Sequence, residues 1–158
     1  MKISDIQLTP LKIGKTLIRI QTDSGIEGWA EAPGGSKVVP GRSVEVFKAY
    51  LELIIKPVLI GEDPLEIDRH WETLALGKED RMYKLPANVV GAIDIALWDL
   101  MGKEAGMPVY NLMGGAARTK ISLYWSVGSG WKKTPDEQGL LLGAVSYTHL
   151  TLPTSDLV

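Results

Sequence analysis

The first 32 residues alternate apolar and polar side chains with a period of two, and this pattern constrains the fold more than any other feature. Residues 2–8, whose apolar members are Ile3, Ile6 and Leu8, are typical of a strand. So are residues 16–22, which are β-branched and alternating. The tripeptide DSG then predicts a turn with Gly25 at positive φ, and residues 26–32 return as a third strand. We therefore expect a three-stranded antiparallel meander at the start of the chain.

Helical periodicity replaces this alternation after a loop rich in glycine and proline. Ser43 can cap a first helix, and Pro57 is expected to kink or end it. A second helix is predicted after Pro64, and the strongest one covers residues 86–105. Four apolar side chains form one stripe along this last helix: Val89, Ile93, Leu97 and Leu100. Small residues beside the stripe should allow a neighbouring element to approach closely: Gly91, Ala92 and Ala96.

One more strand and the start of a further helix follow this helical region. Residues 120–126, with the sequence KISLYWS, predict a strand, and TPDEQ predicts a helix that begins at Thr134. Strands that are followed by a run of helices indicate the α+β class. The final strand-to-helix unit is the start of an α/β pattern that does not repeat within the chain.

Charge and composition exclude several classes of partner. With 17 basic and 19 acidic residues, the charge balance gives no indication of electrostatic binding to nucleic acid or to an anionic membrane surface. No apolar run reaches the roughly 20 residues of a membrane-spanning helix, and the N-terminus lacks a signal-peptide pattern. The chain has no cysteine, which excludes disulfides and thiolate chemistry. We therefore expect a cytoplasmic protein without nucleic-acid or membrane partners.

Three stretches carry a resemblance to a known family: IRIQTDSGIEGWAEA, IIKPVLIGEDPLEIDRHWE and AIDIALWDLMGKEAGMPVYNLMGG. Together they resemble the N-terminal capping domain of the enolase superfamily, in its mandelate racemase and muconate lactonizing branch. The resemblance extends in order over residues 1–126. It implies a capping domain of a meander and a helical bundle over residues 1–118, and the start of a truncated TIM-type barrel over residues 119–143.

The resemblance also implies a chemistry. Enzymes of this family remove the proton next to a substrate carboxylate, while Mg²⁺ neutralises the enediolate that forms. Their base lysine and carboxylate metal ligands lie on barrel strands after the first, and so beyond this chain. We expect a parent enzyme that needs Mg²⁺, acts on a small carboxylate or acid sugar and forms a homo-oligomer. This chain alone would have no catalytic residue and no metal ligand, and would be inactive.

Two capping loops of the family contact substrate. The first corresponds to residues 9–15 and is short, which resembles acid-sugar dehydratases more than racemases. The second corresponds to residues 31–41. Within it or at its margin, three side chains could reach an anionic or hydroxylated substrate: Ser36, Lys37 and Arg42. The alternative is that these loop cations are simply solvated. A further three residues end the predicted barrel strand and could either line the pocket or pack beneath the cap: Tyr124, Trp125 and Ser126.

Two pairs of titratable residues favour structural roles. Asp94 and Asp99 are five residues apart on a helix and would not share a face, so we expect hydrogen bonds across the cap–barrel seam. Glu66 and His70 have the spacing of half a helical metal site, but no second pair completes it. We therefore expect these two residues on an exposed helix face.

Residues 144–158 fit nothing that precedes them. The peptide VSYTHLTLPT can be back-translated as GTC TCT TAT ACA CAT CTG ACG CTG CCG ACG, which resembles a transposon-end sequencing adapter read in one frame. We interpret this segment as a non-native tail that follows a cut-off enzyme. On this interpretation His149 is not catalytic.

Three functions compete at this point. The leading hypothesis is an inactive piece of an acid-sugar dehydratase, although a racemase, epimerase or cycloisomerase parent stays open. The second is a non-catalytic module that binds carboxylates or sugars through the capping loops. The third is a small hydrolase that uses His149, which predicts loss of activity when His149 is replaced.

Overall fold

The computed structural model describes residues 1–12, 15–32, 43–77, 85–120, 124–126 and 149–151. The chain divides into two compact units, Met1–Gly115 and Ala116–Val158. Within the described ranges, the first unit holds a sheet and α-helices, and the second holds two short strands.

The N-terminal sheet is the predicted three-stranded meander. Strands β1 (Ile3–Pro10), β2 (Thr16–Thr22) and β3 (Glu27–Ala32) pair antiparallel in the order β1-β2-β3. Gly25 turns the chain between β2 and β3 at φ 85°, which a residue without Cβ adopts at little cost. Every second residue of β2 is buried, so one face of the sheet enters the core and the other faces solvent.

Helices follow the sheet: α1 (Val44–Tyr50), α2 (Lys56–Leu59), α3 (Ile67–Leu76), α4 (Ala87–Glu104) and α5 (Val109–Leu112). The predicted cap at Ser43 is confirmed, because its Oγ accepts the Val46 N–H at 3.2 Å. None of the described helices combines the length and the apolar content that crossing a bilayer requires.

The chain stays helical through Pro57. A π-helical segment, Leu51–Ile55, joins α1 to α2, and Pro57 lies in the first turn of α2. The Lys56 N–H donates to the carbonyl five residues earlier, that of Leu51. The predicted kink or end at Pro57 is therefore replaced by a local change of helix type just before the proline, which has no N–H to give.

Helix α4 supplies the centre of the core. The predicted apolar stripe is confirmed, since all four of its side chains are at most 2% exposed: Val89, Ile93, Leu97 and Leu100. β3 approaches α4 most closely at Gly28, where an added Cβ would lie 2.0 Å from the Ala96 carbonyl oxygen. The prediction that a neighbouring element approaches α4 closely is thus confirmed at Ala96. It is wrong for Gly91, which has no atom within 4 Å of an added Cβ.

The second unit contains one antiparallel pair of strands. Strand β4 (Tyr124–Ser126) pairs with β5 (His149–Thr151), so that Trp125 lies opposite Leu150. β4 confirms the end of the strand predicted over residues 120–126, whereas Lys120 is not in a strand and residues 121–123 lie outside the described ranges. The helix predicted from Thr134 lies outside the described residues.

Candidate functional site

The two predicted capping loops leave the same end of the sheet. Pro10 at the end of β1 pairs with Thr16 at the start of β2, and Thr16 pairs with Ala32 at the end of β3. The first loop therefore lies directly beside the point where the second begins. Loops that share an origin in this way can contact the same small ligand.

The first loop has the short span that the sequence predicts. β1 ends at Pro10 and β2 begins at Thr16, and between them the Leu11 N–H donates to the Lys15 carbonyl at 2.7 Å. This hydrogen bond closes the base of the loop. A loop closed so near the sheet cannot extend far over a ligand.

The second loop is described only at its flanks. Ser36, Lys37 and Arg42, the predicted substrate contacts, lie outside the described residues. On the near flank, Glu31 Oε1 lies 2.7 Å from Lys15 Nζ, and both side chains are more than half exposed. This ion pair joins the roots of the two loops, although an exposed pair of this kind stabilises by no more than about 1 kcal/mol.

Thr16 places a buried hydroxyl at the common root of the loops. The residue is 1% exposed, and its Oγ1 has no hydrogen-bond partner among the described residues. A buried hydroxyl without a partner costs about 1–3 kcal/mol. Sequence reasoning missed this position, because a threonine that alternates with apolar residues is ordinary in a strand.

The predicted pocket residues of the barrel strand are described through their backbone only. Ser126 lies opposite His149 and Tyr124 opposite Thr151, in antiparallel register. The family resemblance implies parallel neighbours for this strand, so the observed pairing differs from the implied one. A short strand with an open edge pairs with whatever strand is available. The pocket-lining role of Tyr124, Trp125 and Ser126 stays a prediction.

The prediction that Glu66 and His70 share an exposed helix face is wrong for His70. The imidazole is buried, at 2% exposed, and its Nε2 donates to the Asp63 carbonyl at 2.6 Å. This bond ties α3 to the turn that precedes it. Glu66 is exposed and pairs with Arg69, so the two residues do not form half of a metal site.

The two aspartates of α4 occupy different environments. Burial raises the pKa of the Asp94 carboxyl, and the charge of Asp68 on α3 raises it further. Asp99 accepts the Trp29 N–H at 2.8 Å and pairs with Lys103 at 2.6 Å. The structural role predicted for Asp99 is confirmed, but these bonds lie within the capping domain and not at a seam with a barrel.

An open cleft of about 220 Å³ lies between the start of α3 and the middle of α4. Trp98 and Met101 form its apolar wall, and Glu66 and Arg69 its charged one. Arg69 also bonds Glu62, and this bond lowers the pKa of the Glu62 carboxyl. Glu66 and Arg69 already bond one another, which leaves Asp68 as the single further charged residue of the lining. The cleft therefore does not gather several polar groups around a ligand, and we assign none.

The described residues do not fit a Mg²⁺ site. In the ranges given above, no group of three or more His, Cys, Asp or Glu side chains comes close enough to hold a metal ion. Magnesium needs several oxygen ligands at near-octahedral geometry. No chemical step through a metal is therefore derived for this part of the chain.

The sheet, the helix packed on its buried face and the paired loop roots define an α+β capping domain of the enolase type. The chain belongs to the mandelate racemase / muconate lactonizing enzyme family, because the model of that family's N-terminal domain matches residues 9–114. The predicted family and fold class are thus confirmed. The match begins at the end of β1, covers β2, β3 and the helices, and reaches past α5.

Individual relatives of this chain belong to the same family of enzymes. The chain is 39% identical to a D-galactonate dehydratase from Pectobacterium atrosepticum over 128 residues, which are 81% of this chain and 32% of the relative. Two solved structures are similar. An enolase from Agrobacterium radiobacter with bound Na and L-malate has a TM-score of 0.64 at 27% identity, covering 78% of this chain and 30% of that one. The 2-chloromuconate cycloisomerase from Rhodococcus opacus 1CP has a TM-score of 0.66 at 26% identity, covering 82% and 38%. The chain thus spans about a third of the length of the proteins it matches.

Proposed function

We propose that this chain is the capping domain, with the start of the barrel, of an acid-sugar dehydratase. The observation that carries the proposal is the 39% identity to a D-galactonate dehydratase over 81% of the chain. The short first loop, closed between Leu11 and Lys15, supports it further. On this proposal, residues 144–158 remain a non-native tail.

The proposed reaction begins with removal of the proton on the carbon next to the carboxylate. The hydroxyl on the following carbon then leaves as water, and the enol that results converts to a 2-keto acid. We propose Mg²⁺ as the cofactor of the whole enzyme and assign it no ligand among the described residues. We also propose that the whole enzyme is a cytoplasmic homo-oligomer.

The role of this chain is to recognise the substrate. Lys37 and Arg42 would bind its carboxylate or hydroxyls, with Ser36 as a further hydrogen-bonding group, and Tyr124 to Ser126 would line the pocket. The common origin of the two loops at Thr16 and Ala32 supports this assignment, because it brings the second loop beside the first. We propose that the base and the metal ligands of the whole enzyme lie on later barrel strands, so the 158-residue chain is expected to be inactive.

A domain exchange tests the proposal. Residues 1–118 would replace the capping domain of the Pectobacterium enzyme, and kcat/KM would be measured on D-galactonate and a panel of other acid sugars. We expect turnover of at least one acid sugar. Loss of all acid-sugar turnover in a folded chimera would count against a dehydratase parent, and turnover by the 158-residue chain alone at any Mg²⁺ concentration would refute its inactivity.

Loop variants of this chimera test the individual residues. Lys37→Ala and Arg42→Ala are each expected to raise KM about tenfold, because a hydrogen bond to a charged group contributes roughly 1.5–3 kcal/mol. Lys48→Ala is the matched control, since Lys48 is an exposed cation on α1, outside both loops. Loop variants that behave like the Lys48 variant would show that the loop cations are only solvated.

A further inference from the structure

The outer edge of β3 is bonded by side chains from α4. The Trp29 N–H donates to Asp99 Oδ2 at 2.8 Å, and Lys103 Nζ donates to the Glu27 carbonyl at 2.7 Å. Asp99 and Lys103 also bond each other at 2.6 Å. Because β2 lies on the other side of β3, these two backbone groups point away from the sheet.

An outer strand normally leaves a row of unpaired N–H and C=O groups. Such a row is a template on which a strand from another chain can pair. Asp99 and Lys103 are one helical turn apart, and they reach this edge from the helix that packs on the buried face of the sheet. Asp99 and Lys103 therefore occupy the Trp29 N–H and the Glu27 carbonyl, which an added strand would need for its own backbone hydrogen bonds.

The opposite edge of the sheet is closed by other means. At the start of β1, the Ile3 N–H donates to the Glu62 carbonyl at 3.0 Å, and the Ile3 carbonyl accepts the Gly61 N–H at 2.8 Å. Further along, the Ile6 N–H donates to Asp5 Oδ1 at 2.8 Å. Pro10 ends the strand without an N–H. The edge of β1 is therefore bonded at Ile3 and Ile6 and has no donor at Pro10, and the α4 side chains give the edge of β3 a comparable protection.

We propose that Asp99 and Lys103 form an edge lock, which prevents β3 from pairing with a strand of a second copy of this chain. This role is separate from substrate recognition, because both residues lie on α4 and bond Glu27 and Trp29, whereas the second loop begins after Ala32. Lys103 belongs to the edge lock because it donates to the Glu27 carbonyl, in addition to its ion pair with Asp99.

The test uses the 158-residue chain and three variants. Asp99→Ala removes the acceptor, whereas Asp99→Asn keeps an oxygen that can accept the Trp29 N–H. Glu31→Ala is the matched control, since it removes an exposed ion pair on the same strand without touching the main chain. Hydrogen exchange at the Trp29 amide and light scattering over a concentration series are measured for each.

For Asp99→Ala we expect exchange at the Trp29 amide to be about tenfold faster, and mean mass to rise with concentration beyond that of the unchanged chain. Asp99→Asn and Glu31→Ala should match the unchanged chain in both measurements. Equal exchange and equal mass for Asp99→Ala would overturn the proposal. If Asp99→Ala does not fold, as judged by circular dichroism, Lys103→Met provides the second variant, with association again expected.

A double variant identifies the associating surface. Glu31 has the same orientation in β3 as Trp29, so Glu31→Pro removes an N–H from the open edge. We expect Asp99→Ala/Glu31→Pro to return to the mean mass of the unchanged chain. Association that persists in this double variant would show that another surface is responsible, and the edge lock would be wrong.

Discussion

A methyl group added at position 28 would force β3 away from α4. The Cβ of alanine there would lie 2.0 Å from the Ala96 carbonyl oxygen and 3.0 Å from Leu100 Cβ, whereas ordinary contacts begin at 3.4 Å. The atom that blocks it belongs to a helix backbone, which cannot move aside as a flexible side chain would. The sheet and helix must therefore separate by more than about 1 Å over a contact that holds the core together.

The expected cost of Gly28→Ala is about 2 kcal/mol or more. Overpacking in a well-packed core typically costs about 1–3 kcal/mol. The smaller conformational entropy of an unfolded alanine offsets roughly 0.4–1 kcal/mol of this. Because the clash is with main-chain atoms, we place the overpacking cost at the upper end of its range. The separation would also lengthen the bond between Trp29 and Asp99.

Gly91→Ala is the matched control for the same chemical change. Gly91 lies within α4, and no atom is within 4 Å of an added Cβ. Alanine in a helix interior is favoured over glycine by about 0.5–1 kcal/mol, so this variant should be more stable than the unchanged chain.

Urea unfolding followed by far-ultraviolet circular dichroism measures both variants. We expect the midpoint to fall for Gly28→Ala and to rise for Gly91→Ala, with an unchanged slope. A Gly28 variant whose midpoint equals or exceeds that of the unchanged chain would refute the close approach of β3 and α4.

Three further predictions use the same unfolding assay. The pKa of the Asp94 carboxyl is raised in the folded state, so the folded chain loses stability as pH rises through that pKa. Asp94→Asn does not titrate, so its free energy of unfolding should increase relative to that of the unchanged chain between acid and neutral pH. A difference between the two that does not change with pH would contradict this. Ser43→Ala removes the oxygen that accepts the Val46 N–H and should cost about 1 kcal/mol, whereas an unchanged midpoint would show that the cap is unimportant. Thr16→Val replaces a buried hydroxyl without a described partner and should stabilise by up to about 1 kcal/mol; destabilisation would reveal a partner for the hydroxyl.

The strands and the main helix could be predicted because local pattern and burial agree in them. The alternation in β2 places Ile18 and Ile20 on the buried face, although the same face also buries Thr16 and the opposite face carries Leu17. The stripe from Val89 to Leu100 is buried throughout. His70 was misjudged because its burial depends on the Asp63 carbonyl, a partner that no periodicity identifies. Gly28 carried a usable signal, since glycine inside a strand often marks a close backbone approach.

The candidate site was predictable only as far as the loop roots. Their common position follows from antiparallel pairing, which joins the end of β1 to the start of β2 and the end of β3. The side chains that would contact substrate lie in irregular segments, where conformation depends on particular turns and contacts and not on a repeating pattern. Sequence could therefore name Lys37 and Arg42 but not place them.

The stretches that carry the family resemblance are the ones that hold α4 to the sheet. Gly28 and Trp29 lie in one of them, and Ala96, Asp99 and Lys103 lie in another. The resemblance in this chain therefore reflects packing more than chemistry, because these residues fix the distance and orientation of β3 on its helix. β3 leads directly into the second loop. If relatives keep this packing of β3 on α4, the loop begins at the same place in each of them, while its substrate contacts are free to differ.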